Sequence, residues 1–122
     1  MITALYNAQI ISNGEILSGK TVLVENGKIK AITNTDAIPA DATKVDLNGA
    51  YLAPGFIDLQ IYGTGAYFFG GKPSAANLKG MEDGLLAQGC TGFMATIATN
   101  TNDVVEAGIA AAKEYRPQAK GS

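Results

Sequence analysis

Leu52-Ala53-Pro54-Gly55-Phe56-Ile57-Asp58-Leu59-Gln60-Ile61-Tyr62-Gly63 is the stretch on which the reading of the chain turns. Pro54-Gly55 is turn punctuation, and beyond it apolar and polar residues alternate. In a strand, Ile57, Leu59 and Ile61 share one face while Asp58, Gln60 and Tyr62 share the other. The first row suits a buried surface, and the second can carry chemistry. A polar row that leaves a buried strand and ends in a glycine-rich loop is how a parallel barrel presents side chains at its mouth. The same alternation fits an edge strand with one wet face, and the pattern alone leaves both open.

Upstream, residues 1 to about 53 read as short antiparallel strands. Ala8-Gln9-Ile10-Ile11 runs into the turn cluster Ser12-Asn13-Gly14, and Thr21-Val22-Leu23-Val24-Glu25 leads through Asn26-Gly27 to Lys28-Ile29-Lys30-Ala31-Ile32. An Asn-Gly pair between two β-prone runs predicts a hairpin, because both central residues must take positive φ. Lys44-Val45-Asp46-Leu47, a further Asn48-Gly49 turn and Ala50-Tyr51-Leu52 follow. The flanks of these turns are too dissimilar to make a repeat.

Downstream of Pro54 the pattern changes. A strand from Phe56 to Tyr62 gives way to a loop from 63 to about 73, and Leu78, Met81, Leu85 and Leu86 then build one apolar helical face closed by Gly89. Thr91 to Ile97 reads as the next strand, with a polar end at Thr99-Asn100-Thr101. Val105, Ile109 and Ala112 mark a second helix, capped by Asn102 or Asp103 and stopped at Arg116-Pro117. Strands without helices followed by β-α-β-α predict a small sheet domain over 1–53 and the start of a parallel α/β domain over 54–122. Two parallel strands leave edges unpaired, so the segment reads as part of a larger fold, with a third strand beginning near Ala119-Lys120-Gly121-Ser122.

Composition narrows the function classes. The 122 residues are 47% hydrophobic and 16% charged, a globular balance. A net charge of −2, with Lys and Arg scattered singly, leaves no basic footprint for nucleic acid or an anionic membrane. One cysteine, Cys90, excludes an internal disulfide and fits a reducing compartment. No N-terminal run combines a basic start with a long apolar core. A cytoplasmic, soluble protein is the expectation.

Pro-Gly-Phe-Ile-Asp-x-Gln-x-x-Gly, read together with the preceding Leu47-Asn48-Gly49-Ala50, resembles the first barrel strand of the amidohydrolase superfamily, and most resembles the N-acetylglucosamine-6-phosphate deacetylase family. The resemblance runs along essentially the whole chain, from Asn7-Ala8-Gln9-Ile10 to Gly89-Cys90-Thr91 and the Thr-rich segment after it. It implies a partial β-sandwich over 1–53 and the first two βα units of a TIM-type (β/α)8 metal-dependent hydrolase barrel over 54–122. Most of the superfamily carries a metal-binding His-x-His pair at the positions of Gln60 and Tyr62, whereas this chain has no histidine. In the deacetylase branch that pair is often replaced, frequently with Gln first. The whole enzyme implied uses a divalent metal, zinc or iron, to hydrolyse the N-acetyl amide of an amino-sugar phosphate, giving glucosamine 6-phosphate and acetate; a homodimer is expected separately, because the open sheet edges of the segment call for covering. The enzyme's metal ligands and catalytic Asp fall beyond Ser122, so the resemblance implies no catalytic residue here, no tight metal binding and no activity by the segment alone. Another amidohydrolase, dihydroorotase- or deaminase-like, and a non-catalytic binding or assembly module remain as alternatives.

Among individual residues, Gln60 is the candidate nearest the implied metal. A carboxamide is a weak ligand beside imidazole, so its expected job is to hydrogen-bond a metal-bound water or the substrate, with an interior structural Gln as the alternative. Asp58 is expected as a structural acceptor and Tyr62 as a packing residue. Gly63-Thr64-Gly65 with Gly70-Gly71 suits either a phosphate cradle or a plain rim loop, and the loop is favoured. Cys90, with no histidine to deprotonate it, reads as a small buried hydrophobe. Thr96, Thr99, Asn100 and Thr101 either brace a pocket or reflect ordinary strand-end chemistry.

Overall fold

The computed structural model describes residues 1–121, and the chain divides into two compact units, Met1–Pro54 and Gly55–Ser122. The first contains β1 (Ile2–Tyr6), β2 (Gln9–Ser12), β3 (Glu15–Leu17), β4 (Lys20–Glu25), β5 (Lys28–Asn34), β6 (Thr43–Asp46) and β7 (Tyr51–Leu52). They form a four-stranded sheet in the order β5-β4-β1-β6 and a three-stranded sheet in the order β3-β2-β7.

Asn13-Gly14 joins β2 to β3 and Asn26-Gly27 joins β4 to β5 as two-residue antiparallel hairpins. Both residues of each pair have positive φ, with Asn26 at 52° and Gly27 at 73°, the turn form whose twist matches that of the flanking strands. The expectation of antiparallel strands throughout is corrected at the third pair. Asn48-Gly49 has the same dihedrals but joins strands in different sheets, because β6 runs parallel to β1 and β7 runs parallel to β2. The cause is a shared crossover. Residues 6–9 and 47–50 pass side by side from one sheet to the other, tied by Leu47 N–H to Tyr6 O, Gly49 N–H to Asn7 O and Gln9 N–H to Ala50 O at 2.7–3.0 Å. Ala8, Ile10 and Val22 are buried where the sheets face one another, with Leu5, Leu17, Val24, Leu47 and Leu52 packed around them.

The second unit contains β8 (Phe56–Ile61), β9 (Gly63–Thr64), β10 (Tyr67–Phe68), α1 (Ala75–Leu86), β11 (Cys90–Ala95) and α2 (Asn102–Tyr115). β8 and β11 pair in parallel, from Cys90 opposite Phe56 to Ala95 opposite Ile61, with two register irregularities. Each helix follows its strand, the expected β-α-β-α order, but among the described residues the parallel sheet has two strands and closes no barrel. The segment expected as loop folds into the small β9-β10 hairpin, whose turn uses Gly65 at φ 57°.

Ser74 starts α1 as its cap, its Oγ accepting from Asn77 N–H at 3.1 Å. The helix buries Leu78, Met81, Glu82 and Leu85, and Gly89 beyond its end takes a φ of 81°. Met81, fully buried, contributes about 1.5–3 kcal/mol of transfer free energy to a core shared with Phe69, Leu78, Ala111 and Tyr115.

Two expected faces are corrected. In α2 the buried residues are Gly108, Ala111 and Tyr115, while Val105 and Ile109 stay 40% and 51% exposed. Gly108 explains the choice, since a Cβ there would strike Ile97 and lie against Phe69, so the helix seats on its small residues. On β8, Ile57 and Leu59 are 64% and 71% exposed and Ile61 alone of that row joins the core. The reason is coverage: α1 packs on β9, β10, β11 and α2.

Candidate functional site

The alternation of β8 sets the polar row on one face, and its members touch. Asp58 Oδ1 accepts the backbone N–H of Gln60 at 3.0 Å, and Gln60 Nε2 donates to the Tyr62 hydroxyl at 2.8 Å. With its amide N–H turned to Tyr62, Gln60 has its carbonyl oxygen left as an acceptor for a donor group. Asp58 is thus a local acceptor on its own strand, and Tyr62, expected to pack, is 38% exposed and accepts the Gln60 amide instead.

The neighbouring strand end closes on this row through the backbone, where Thr96 N–H donates to Ile61 O at 2.8 Å. Thr96 Oγ1 donates to Met94 O, and Asn100 spans to the β9-β10 region, its Nδ2 reaching Gly70 O at 3.5 Å. Asn77 does the same from α1, donating to Lys72 O at 2.6 Å and to Phe68 O at 3.5 Å. Residues 63–73 are therefore fastened to both helices' N-terminal ends. The glycines of that loop have a packing account: a Cβ on Gly70 or Gly71 would run into the Phe68 ring, and one on Gly63 into the backbone of Tyr67 and Phe68. Cys90 is buried, its Sγ against Gly92 O at 3.1 Å.

The sequence reading missed Glu82, the one buried carboxylate among the described residues of this unit. Glu82 lies on the buried stripe of α1 at 3% exposure. Its Oε2 accepts the Tyr115 hydroxyl at 2.6 Å, and its Oε1 accepts Lys120 N–H at 2.8 Å and Gly121 N–H at 2.9 Å. Burial opposes its charge, but the bonds from Gly121, Tyr115 and Lys120 with the Lys120 ammonium outweigh it and hold the carboxyl below its ordinary pKa. Burial, then Glu82 and Asp83, push the Tyr115 phenol well above 10. Next to it, hydrogen bonds from Lys120 and Lys79 hold exposed Asp83 down to about 2. The available signal was a charged residue at an apolar helical position, three after Lys79 and one after Met81.

Beside β11 and α2 lies an open cleft of about 480 Å³, walled by Phe93, Ile97, Val105, Ile109 and Tyr115 among others. Its apolar wall suits packing rather than polar chemistry. Among the described residues no three His, Cys, Asp or Glu side chains are grouped to hold a metal ion. The chain has no histidine, and the Gln60 carbonyl oxygen, a weak donor to a metal beside imidazole, is the polar atom this row leaves open. No helix among the described residues is long and apolar enough to cross a membrane.

Residues 3–52 match the family model described as the NagA composite domain. The chain is 30% identical over 112 residues to N-acetylglucosamine-6-phosphate deacetylase of Haemophilus influenzae, a match that takes in 92% of the chain and 29% of that protein. The crystal structure of N-acetylglucosamine-6-phosphate deacetylase from Pasteurella multocida superposes with a TM-score of 0.93 at 32% identity, over 98% of this chain and 32% of that one. A dihydroorotase of Aquifex aeolicus is 39% identical over 57 residues, 46% of this chain and 13% of that protein. The chain thus spans about three-tenths of the length of its deacetylase relatives.

Proposed function

We propose, for a chain that belongs to the amidohydrolase superfamily and within it to the N-acetylglucosamine-6-phosphate deacetylase family, that it is the N-terminal part of an enzyme hydrolysing the acetamide of an amino-sugar phosphate. In that reaction water adds to the acetyl carbon, the C–N bond breaks, and the amine leaves with a proton as acetate is released. Residues 1–53 supply strands of the small β-sandwich domain, and residues 54–122 supply the first two βα units of the (β/α)8 barrel. The observation that carries this reading is the superposition along nearly the whole chain on the Pasteurella multocida enzyme.

The fold supports it independently. β8 and β11 are parallel neighbours, each followed by a helix, and an apolar cleft lies beside β11 where a third strand would seat. The polar row Asp58-Gln60-Tyr62 stands at the C-terminal end of β8, the end at which barrel enzymes build their sites. Gln60 contributes a carbonyl acceptor to one pocket wall, held in place by Tyr62. The divalent metal of the whole enzyme, zinc or iron, takes its ligands from outside these residues. The assembled enzyme is a cytoplasmic homodimer.

The test is a chimera in which residues 1–122 replace the matching segment of the Haemophilus influenzae deacetylase. The chimera is expected to fold and to release acetate from N-acetylglucosamine 6-phosphate, while the 122-residue chain alone releases none. A chimera with a native circular dichroism spectrum and no turnover overturns the assignment, as does one that cannot fold.

A further inference from the structure

Asn13-Gly14, Asn26-Gly27 and Asn48-Gly49 are the same dipeptide in the same backbone form. Asn φ is 51°, 52° and 51°, Gly φ is 79°, 73° and 78°, and all six residues are exposed. They differ in which of their N–H groups are bonded. Gly49 N–H donates to Asn7 O at 2.7 Å, whereas among the described residues the N–H groups of Gly14 and Gly27 have no protein partner. The Asn48 peptide is tied as well, its N–H donating to Asp46 Oδ1 at 2.8 Å.

This difference decides a reaction that Asn-Gly pairs undergo without an enzyme. The Gly nitrogen attacks Cγ of the Asn side chain, an N–Cγ bond forms, the Cγ–Nδ2 bond breaks and ammonia leaves. Water then opens the cyclic imide on either side to give aspartate or isoaspartate. For the attack, the peptide between Asn and Gly must rotate until its nitrogen faces Cγ. In a two-residue hairpin that rotation is the change from the doubly left-handed turn to its singly left-handed relative, which takes the first central ψ from about +30° to about −120° while φ stays positive. An unbonded N–H is free to make it. At Gly49 the same rotation breaks the bond to Asn7 and with it the crossover between the two sheets.

We propose that Asn13 and Asn26 are sites of spontaneous succinimide formation in this protein, and that Asn48 is protected by the Gly49-to-Asn7 hydrogen bond. Losing one backbone hydrogen bond on the way to attack slows Asn48 by about three- to tenfold relative to the other two. The consequence is unequal. Isoaspartate at 26 adds a backbone atom to the turn that pairs Glu25 with Lys28 and weakens the β4-β5 pairing at the sheet edge.

The experiment is incubation of the chain at mildly alkaline pH, in buffer and in concentrated urea, with peptide mapping by mass spectrometry over days. In buffer, Asn13 and Asn26 are expected to convert about three- to tenfold faster than Asn48. In urea the three rates are expected to converge. Equal rates in buffer, a faster Asn48, or a ratio that persists in urea each overturn the proposal. Amide exchange gives a second reading: Gly49 N–H is expected to exchange more slowly than Gly14 and Gly27, and exchange at one common rate would also overturn it.

Discussion

Replacing Tyr115 with Phe removes one of the three hydrogen bonds that satisfy the Glu82 carboxylate and leaves the ring in place. A bond to a charged group contributes about 1.5–3 kcal/mol, and the lower half applies because two backbone donors remain, so the expected loss is about 2 kcal/mol. For a unit of roughly 70 residues that is a fall in melting temperature of about 8–16 °C. The sign of the pH dependence follows from the shifts. Glu82 is held below its unfolded value, so its stabilisation is present above about pH 4.5 and is lost as pH falls through the folded pKa. Tyr115 is raised, so its contribution is present below about pH 10 and fades as pH climbs beyond that. The difference between wild type and Tyr115→Phe is therefore expected to be full at pH 7 and to shrink in acid. Thermal melts by circular dichroism at pH 7 and at acid pH measure it, with amide exchange at Lys120 and Gly121 reporting the local bond. A shift under about 2 °C at pH 7, or an equal shift at both pH values, would refute the account of Glu82 as a charged anchor.

Gly63→Ala is expected to cost about 1–3 kcal/mol in urea denaturation, since the added methyl meets the backbone of Tyr67 and Phe68, which cannot yield. Gly108→Ala meets the far end of the Ile97 side chain, which can turn, and gains about 0.8–1 kcal/mol of helix propensity, so it is expected to be close to neutral; a loss as large as that of Gly63→Ala would show that the α2 contact is rigid. Asp83 is expected to titrate near 2 by NMR and to move toward 3.8 in Lys120→Ala. Its contribution is present above 3.8 and is lost as pH falls toward 2; an unmoved midpoint in the variant would contradict the pairing with Lys120.

What the sequence made legible was local. Asn26-Gly27 specified its hairpin because the turn conformation is nearly unique to that dipeptide, and β8 could be read from its period of two, down to which residues share the polar row. The identical Asn48-Gly49 turn carried no information about its partners, since pairing with β1 and β2 depends on residues some forty positions away. The Gln60–Tyr62 bond follows from two side chains on one strand face. The Glu82 cluster does not, because two of its three donors are backbone amides of residues 120 and 121, which no side-chain pattern announces.

The two misplaced apolar faces share a cause. Hydrophobic periodicity weighs large side chains, so Val105, Ile109 and Ala112 outrank Gly108 and Ala111 in α2. Packing, however, rewards the face on which the helix axis comes closest to its neighbour, and that face needs small residues with one large group at the end. Gly108 against Ile97 and Phe69, then Ala111, then Tyr115 reaching Glu82, is such a face. Val105 and Ile109 are left flanking the cleft, as Ile57 and Leu59 are left exposed on β8. In a barrel the outward face of each strand and the flanks of each helix are covered by the neighbouring βα units. The exposed stripes and the seated ones thus follow one rule: α1 and α2 bury what their contacts with each other and with β9, β10 and β11 can reach, and on the barrel reading proposed above the large aliphatics outside those contacts are where further units would pack.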